Sequence, residues 1–459
     1  MAEFTGTRAQ FVENRDQRNL ATQRHLICCS KRFWILILMF LRCFFGVLME
    51  YSINIVFIQL SGKKKGVNKL QLPSYRTVAF SYYFGFLFSP IGGYLATKFG
   101  GSVTYGVTTM LVSILTALNA VSLRWNVYAF SACRIAAGLF DGFAYASIAE
   151  IFTRWVPATE RSTFLAIILT GVYFGNAITY NIEKYIANSW GWRMNFYATG
   201  GITFVWSVIW LIIARNEPSQ DKMISRRELQ YIQSQTDTTP RHKVVHPILK
   251  IFTSPPVWAI FIGRLVSSWG YDLILNGLSL YYRDTARRSI VQLPYDPAIP
   301  NLVSICITPI LGVIMDFVPS YFTKLETSQI HKIAIIFGFS TSCILFVVAT
   351  FSSIKVSVPC LLVIKLFLSF DILVLQLACL YLAPKHSSIL LGFSAIWPIG
   401  SKVGVPFFIQ FIVKHYLLQE WQICFGVSSG ALLFGTFVYW KYGSSQLQTW
   451  AKSHPNPTY

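Results

Sequence analysis

Hydrophobic residues along this chain come in long blocks, not in alternation. Twelve stretches of about 20 residues, the length a helix needs to cross a bilayer, are separated by polar segments: 33–60, 77–97, 102–123, 127–152, 164–186, 196–214, 257–282, 298–317, 333–351, 356–382, 389–413 and 424–440. The expected fold class is therefore an all-α membrane protein with twelve transmembrane helices. The longest polar interruption, 215–254, separates six spans from six. The predicted organisation is an N-terminal tail over 1–32, a six-helix bundle over 33–214, a central loop over 215–254, a second six-helix bundle over 255–442 and a C-terminal tail over 443–459. Two such halves are a transporter architecture, with the substrate site between them near mid-membrane.

Composition agrees with this pattern. Of 459 residues 54% are hydrophobic and 13% charged, with a mean hydropathy of +0.49, too little charge to cover a soluble surface of that size. The polar opening segment up to Arg32 reads as a tail and the first block as a retained anchor, not a cleaved leader. Basic residues crowd that tail (Arg8, Arg15, Arg18, Arg24, Lys31, Arg32) and the central loop (Arg215, Lys222, Arg226, Arg227, Arg241, Lys243, Lys250). Six spans put both on one side, so the positive-inside rule predicts cytosolic termini. One loop dissents, with Lys63, Lys64, Lys65, Lys69 and Arg76 on the other side. The net charge of +20 points to anionic headgroups or an anionic solute; no basic face interleaved with aromatics suggests a nucleic acid.

The nine cysteines are scattered and read as small buried hydrophobes, with Cys28-Cys29 a candidate for palmitoylation. The seven histidines show neither metal-ligand spacing nor a nucleophile partner, so neither a metal, a cofactor nor an enzyme is expected. In the central loop Ser225 precedes Glu228 by three residues, the spacing of a capping box, which predicts a short surface helix. A short internal duplication relates Gly92-Gly-Tyr-Leu-Ala-Thr-Lys-Phe-Gly100 after the second span to Leu311-Gly-Val-Ile-Met-Asp316 at the end of the eighth. Gly138 and Gly142, Gly171 and Gly175, and Gly400 and Gly404 each lie one turn apart, the spacing of closely packed helices.

The candidate chemistry lies in the fourth span. Arg134 and Asp141 are seven residues, or two helical turns, apart in an otherwise apolar run and share a face. A charge at mid-membrane costs at least about 2.5–3.5 kcal/mol, and such charges usually mark a partner or a pathway. The pair fits a shared polar vestibule between the halves; a static ion pair joining two helices is the competing reading. Arg42, Glu50, Arg264, Asp272, Lys365, Asp371 and Lys402 are further intramembrane charges, some expected to line the site and others to form pairs or snorkel.

The motif Arg134-x-x-x-Gly138-x-x-Asp141-Gly142 is followed by Trp155-Val-Pro-Ala-Thr-Glu-Arg-Ser162, Gly171-x-x-x-Gly175, Gly191-Trp192 and Phe196-Tyr197. With Ile224-Ser225-x-x-Glu228, Thr253-Ser-Pro-Pro-Val-Trp258 and Ala383-Pro-x-x-x-Ser-Ile-Leu-x-Gly392, the chain resembles the anion–cation symporter family of the major facilitator superfamily. That is the sialin, vesicular glutamate transporter and type I sodium–phosphate cotransporter branch, and the resemblance runs over about residues 31–440. It implies the major facilitator fold, with Arg134 as the arginine that attracts the anion and Asp141 in place of the acidic residue used in cation or proton coupling. A carboxyl group in low dielectric favours its neutral form, so it can take up and release a proton.

Tyr51, Asn54, Tyr173 and Trp269 are expected to shape the substrate site. Trp155 is expected at headgroup level, and Glu160 and Arg161 at cytosolic helix ends, where pairing would balance inward- and outward-facing states. The chain departs from the family at Asn54, where an arginine is common in the first span, at Ala378 and Tyr381 in the tenth, and at Thr97, where the superfamily loop has aspartate. The expected function is secondary-active transport of a small organic or inorganic anion, coupled to protons or sodium, by alternating access. The expected place is a plasma or a lysosomal or vesicular membrane. A transport-incompetent relative acting as a membrane receptor is the alternative, motivated by the altered first and tenth spans.

Overall fold

The computed structural model describes residues 30–62, 75–236, 246–286, 299–322, 325–415 and 417–451; of residues 54–62, 75–79, 286 and 320 it describes the backbone alone. Cys28, Cys29, Lys63, Lys64, Lys65 and Lys69 lie outside the described residues, as does the side chain of Arg76. The N-terminal bundle comprises α1 (Lys31–Gly62), α2 (Tyr75–Phe86), α3 (Ser89–Phe99), α4 (Gly101–Trp125), α5 (Val127–Trp155), α6 (Arg161–Trp190) and α7 (Trp192–Ile213). A central segment carries α8 (Arg226–Gln235) and α9 (Ile248–Thr253). The C-terminal bundle comprises α10 (Pro255–Ala286), α11 (Ile299–Tyr321), α12 (Thr327–Phe351), α13 (Ile354–Leu382), α14 (Ser387–Ile412) and α15 (Leu418–Tyr442).

Ten helices among the described residues are long and apolar enough to cross a membrane. The two remaining spans differ for readable reasons. The expected continuous helix over 77–97 is broken at residues 87–88 into α2 and α3, with Pro90 in the first turn of α3, where its missing N–H costs nothing. α10 is long enough, at 32 residues, but carries Arg264, Asp272, Arg283 and Asp284. The architecture is thus all-α with twelve spans.

The bundles meet along two seams, α6 against α11 and α3 against α14. The seams are tightest at the ends nearest the central segment. A Cβ on Gly312 would come within 2.5 Å of the Ala166 side chain and 2.8 Å of the Ser162 carbonyl, and one on Gly392 within 2.8 Å of Pro90. Glycine at these positions lets helices from opposite bundles touch backbone to side chain. The other glycine pairs pack within a bundle, Gly138 and Gly142 against α2 and Gly171 and Gly175 against α1.

α8 forms where the Ser225 spacing predicts it, and Ser225 Oγ accepts from the Glu228 amide at 3.2 Å. The reciprocal half of the box is replaced. The Glu228 carboxylate reaches across to the amides of Lys31 and Arg32, both at 3.1 Å, and so caps α1. A carboxylate at a helix N-terminus satisfies orphan donors and opposes the positive end of the dipole.

Candidate functional site

Between the bundles lies a cavity of about 270 Å³. Its charged lining is Arg42 and Glu50 from α1, Asp141 from α5, Arg264 and Asp272 from α10, and Lys402 from α14, interleaved with seven tyrosines. Charges removed from water must be paired or hydrogen bonded, and most of these are. Arg42 forms an ion pair with Asp141, and its Nε donates to Thr109 Oγ1 at 3.0 Å. The Tyr82 hydroxyl donates to the other Asp141 oxygen at 2.5 Å. Glu50 Oε1 accepts from Lys402 Nζ at 2.5 Å and from the Tyr83 hydroxyl at 2.7 Å, which joins the two bundles across the cavity. Asp272 accepts from Ser401 Oγ at 2.6 Å.

Arg264 is the exception. It is 5% exposed, donates through Nη2 to the Tyr145 hydroxyl at 2.9 Å, and has no carboxylate partner among the described residues. Behind the wall, Lys365 donates to Asn301 Oδ1 at 2.6 Å and lies 5.0 Å from the centre of the Tyr271 ring. The cavity therefore holds two internally compensated ion pairs, one hydrogen-bonded carboxylate and one guanidinium without a counter-charge.

The residues expected at the site separate. Asp141, Tyr51 and Tyr173 line the cavity. Arg134 does not; it is 2% exposed, and its two terminal nitrogens donate to the backbone carbonyls of Met49 and Glu50 at 3.2 and 3.1 Å. Its guanidinium also sits over the Tyr82 ring, 4.7 Å from the centroid. The vestibule expected to be shared by Arg134 and Asp141 is instead shared by Arg42 and Asp141. Seven residues set the two groups about 10 Å apart along α5, and the facing α1 takes the nearer partner of each. Trp269 packs on Phe408 with its indole N–H 3.3 Å from Ser428 Oγ, outside the cavity lining. The Asn54 side chain lies outside the described residues.

Trp155 is 1% exposed and donates to the Arg215 carbonyl at 2.9 Å, which ties the end of α5 to the chain leaving α7. Glu160 accepts from Arg32 Nη1 at 2.5 Å and from the Tyr231 hydroxyl at 3.0 Å, joining α1, α6 and α8. Arg161 stacks on the Tyr381 ring of α13 at 5.4 Å. Asp316, at the end of the duplicated motif, accepts from the amides of Ser162 and Thr163 at 3.0 and 2.8 Å, capping α6 from the opposite bundle. In the first copy, where Thr97 stands, Thr97 Oγ1 contacts His246 Nε2 at 3.2 Å, and His246 Nδ1 lies 2.8 Å from His386 Nδ1 at the start of α14.

Two membrane-spanning helical bundles clamped around a charged cavity have the architecture of a membrane transporter. Residues 39–388 match the family described as the Major Facilitator Superfamily, and the chain belongs to that superfamily, in the anion–cation symporter branch that its motifs indicate. It is 28% identical to vesicular glutamate transporter 1 of Xenopus laevis over 81% of this chain and 66% of that protein. It is 27% identical to human vesicular glutamate transporter 2 over 94% of this chain and 75% of that one. Among solved structures, the proton:xylose symporter XylE aligns with a TM-score of 0.66 at 14% identity, covering 90% of this chain and 96% of its own. The human organic anion transporter MFSD10 (TETRAN) aligns with 0.57 at 14%, covering 89% and 99%. Both share the fold.

Proposed function

We propose that this multi-pass protein is a secondary-active transporter of a small organic or inorganic anion, coupled to a proton or sodium and working by alternating access. The observation that carries the reading is Arg264, a buried cation on the cavity wall with a tyrosine but, among the described residues, no carboxylate paired with it. An anion is the partner such a group lacks. Vesicular glutamate transporters, as their name states, carry an anionic solute, which favours the same substrate class here.

The arrangement also suggests a coupling route. Asp141 holds Arg42 while ionised; a proton on Asp141 frees that guanidinium to join Arg264 on the anion, so proton and anion travel together. Arg134 acts on the site by fixing α1, while Tyr51 and Tyr173 shape the cavity. Trp155, Glu160 and Arg161 hold the closure beside the central segment, which faces the cytosol in this reading, as do both termini. Proteoliposomes given labelled phosphate, glutamate or sialic acid, with pH and sodium gradients varied separately, test it. Arg264→Ala should lower uptake of the accepted anion at least about tenfold, the worth of one lost charge-assisted bond. Uptake equal to that of the parent protein would remove this assignment.

A further inference from the structure

The lining of the cavity limits which anion it can hold. Three cations (Arg42, Arg264, Lys402) and three carboxylates (Glu50, Asp141, Asp272) line it, so the described lining is neutral. A monoanion entering with one proton keeps that balance. A dianion such as hydrogen phosphate leaves a charge uncompensated where water is scarce.

The rest of the lining suits an apolar body. Seven tyrosines stand among Val47, Phe86, Leu169, Leu275 and Ile372. The hydroxyls of Tyr82, Tyr83 and Tyr173 donate their only protons to Asp141, Glu50 and the Ser369 carbonyl. Those of Tyr145 and Tyr271 accept from Arg264 and Asn176. With these hydroxyls engaged, what the tyrosines offer a ligand is ring surface, and rings attract other rings in offset or edge-to-face contact. Glutamate would set a second carboxylate and an ammonium against that surface, each at a desolvation cost. At about 270 Å³ the cavity lies just below the about 300–1,000 Å³ of sites for drug-sized ligands, which limits the body to one or two rings.

The acid group has a place of its own. Arg264 Nε has no hydrogen-bond partner among the described residues. Gln376 of α13 also lines the cavity and stands at the same level of the C-terminal bundle. There Gly263 of α10 packs on Leu375, a Cβ coming within 3.0 Å of its side chain, and the Arg264 charge acts on Cys379, one turn beyond Gln376. A guanidinium and an amide N–H suit the two oxygens of one carboxylate. The same charge acts on Tyr173, whose ring centre lies 6.3 Å from that of Tyr271 in the opposite bundle.

We infer that the cavity selects a monocarboxylate with an aromatic body of one or two rings, its carboxylate on Arg264 and Gln376 and its ring against Tyr173 and Tyr271. The inference deepens the anion reading and rests on it.

Calorimetric titration of the purified full-length protein with phenylacetate and 1-naphthylacetate tests it, beside acetate, glutamate, phosphate and the neutral phenylacetamide. One or both aromatic acids should bind saturably, at least about tenfold tighter than the other four ligands. Phenylacetate should bind about two- to tenfold tighter than cyclohexylacetate, the worth of an aromatic pair. Tyr173→Leu should shrink that preference, whereas Gln376→Leu should weaken phenylacetate about tenfold and leave the preference in place. Size-exclusion profiles establish folding of the variants, and the ligand series on the parent protein decides without them. Glutamate or phosphate binding tighter than both aromatic acids overturns this inference and leaves the anion reading standing. Phenylacetamide binding as tightly as phenylacetate, or no binding of any anion, overturns both.

Discussion

A guanidinium has five N–H donors to satisfy, and two of the buried arginines in and beside the cavity wall do so differently. Arg134 spends its terminal nitrogens on two carbonyls of α1 and its face on Tyr82. Arg264 meets a single hydroxyl. Arg134→Ala should therefore lower stability by about 1–3 kcal/mol, the cost of broken buried hydrogen bonds, seen as a lower thermal unfolding midpoint. Arg264→Ala removes a charge without a counter-charge and should leave the midpoint nearly unmoved while uptake falls. Equal midpoints for the two variants would contradict this division. The sequence marks both arginines as intramembrane charges and cannot separate them. The acceptors of Arg134 are backbone carbonyls, identical at every residue, and they lie more than eighty positions away in the chain. The ion pair of Arg42 with Asp141 has the same character, since each charge is legible and the pairing exists only after α1 and α5 meet.

At the level of elements, hydropathy read the helices well because a bilayer imposes length directly. Only the continuity of the second span escapes it, since one helix ends before residues 87–88 and Ser89-Pro90 start another inside the same apolar run. The duplicated motif was legible as two copies, but its mechanics were not. Asp316 caps α6 across the bundle interface, whereas at Thr97 the junction is made through the histidine pair of the central segment and α14. Loss of a cap carboxylate costs about 1–2 kcal/mol, so Asp316→Ala should shift the balance between closed and open seams by about five- to thirty-fold. Gly312→Val should act in the same direction by wedging a side chain against Ser162 and Ala166. Spin-label distances between the central-segment ends of α6 and α11 would report both; a distribution unchanged in either variant would mean that this seam does not control closure.

Across the whole molecule the two faces of the cavity are held by different forces. Beside the central segment the seams are close packing with caps buried in it, whereas the Lys402–Glu50 ion pair, joined by Tyr83, bridges α1 and α14 within the cavity itself. Lys402 keeps 34% of its side chain exposed, and a partly solvated pair is cheap to break, about 1 kcal/mol or less at full exposure. Alternating access needs such a contact, strong enough to bias one state and weak enough to part when the seams open. Glu50→Gln and Lys402→Gln should each lower transport by removing the bridge and leaving the other charge without its partner. Exchanging the charges, Glu50→Lys with Lys402→Glu, should recover part of the loss, because the attraction does not depend on which helix carries which sign. A double-mutant cycle on initial uptake rates then yields a coupling of at least about 1 kcal/mol. If the effects add independently instead, the bridge is incidental, and the bias between states must reside in the seams alone.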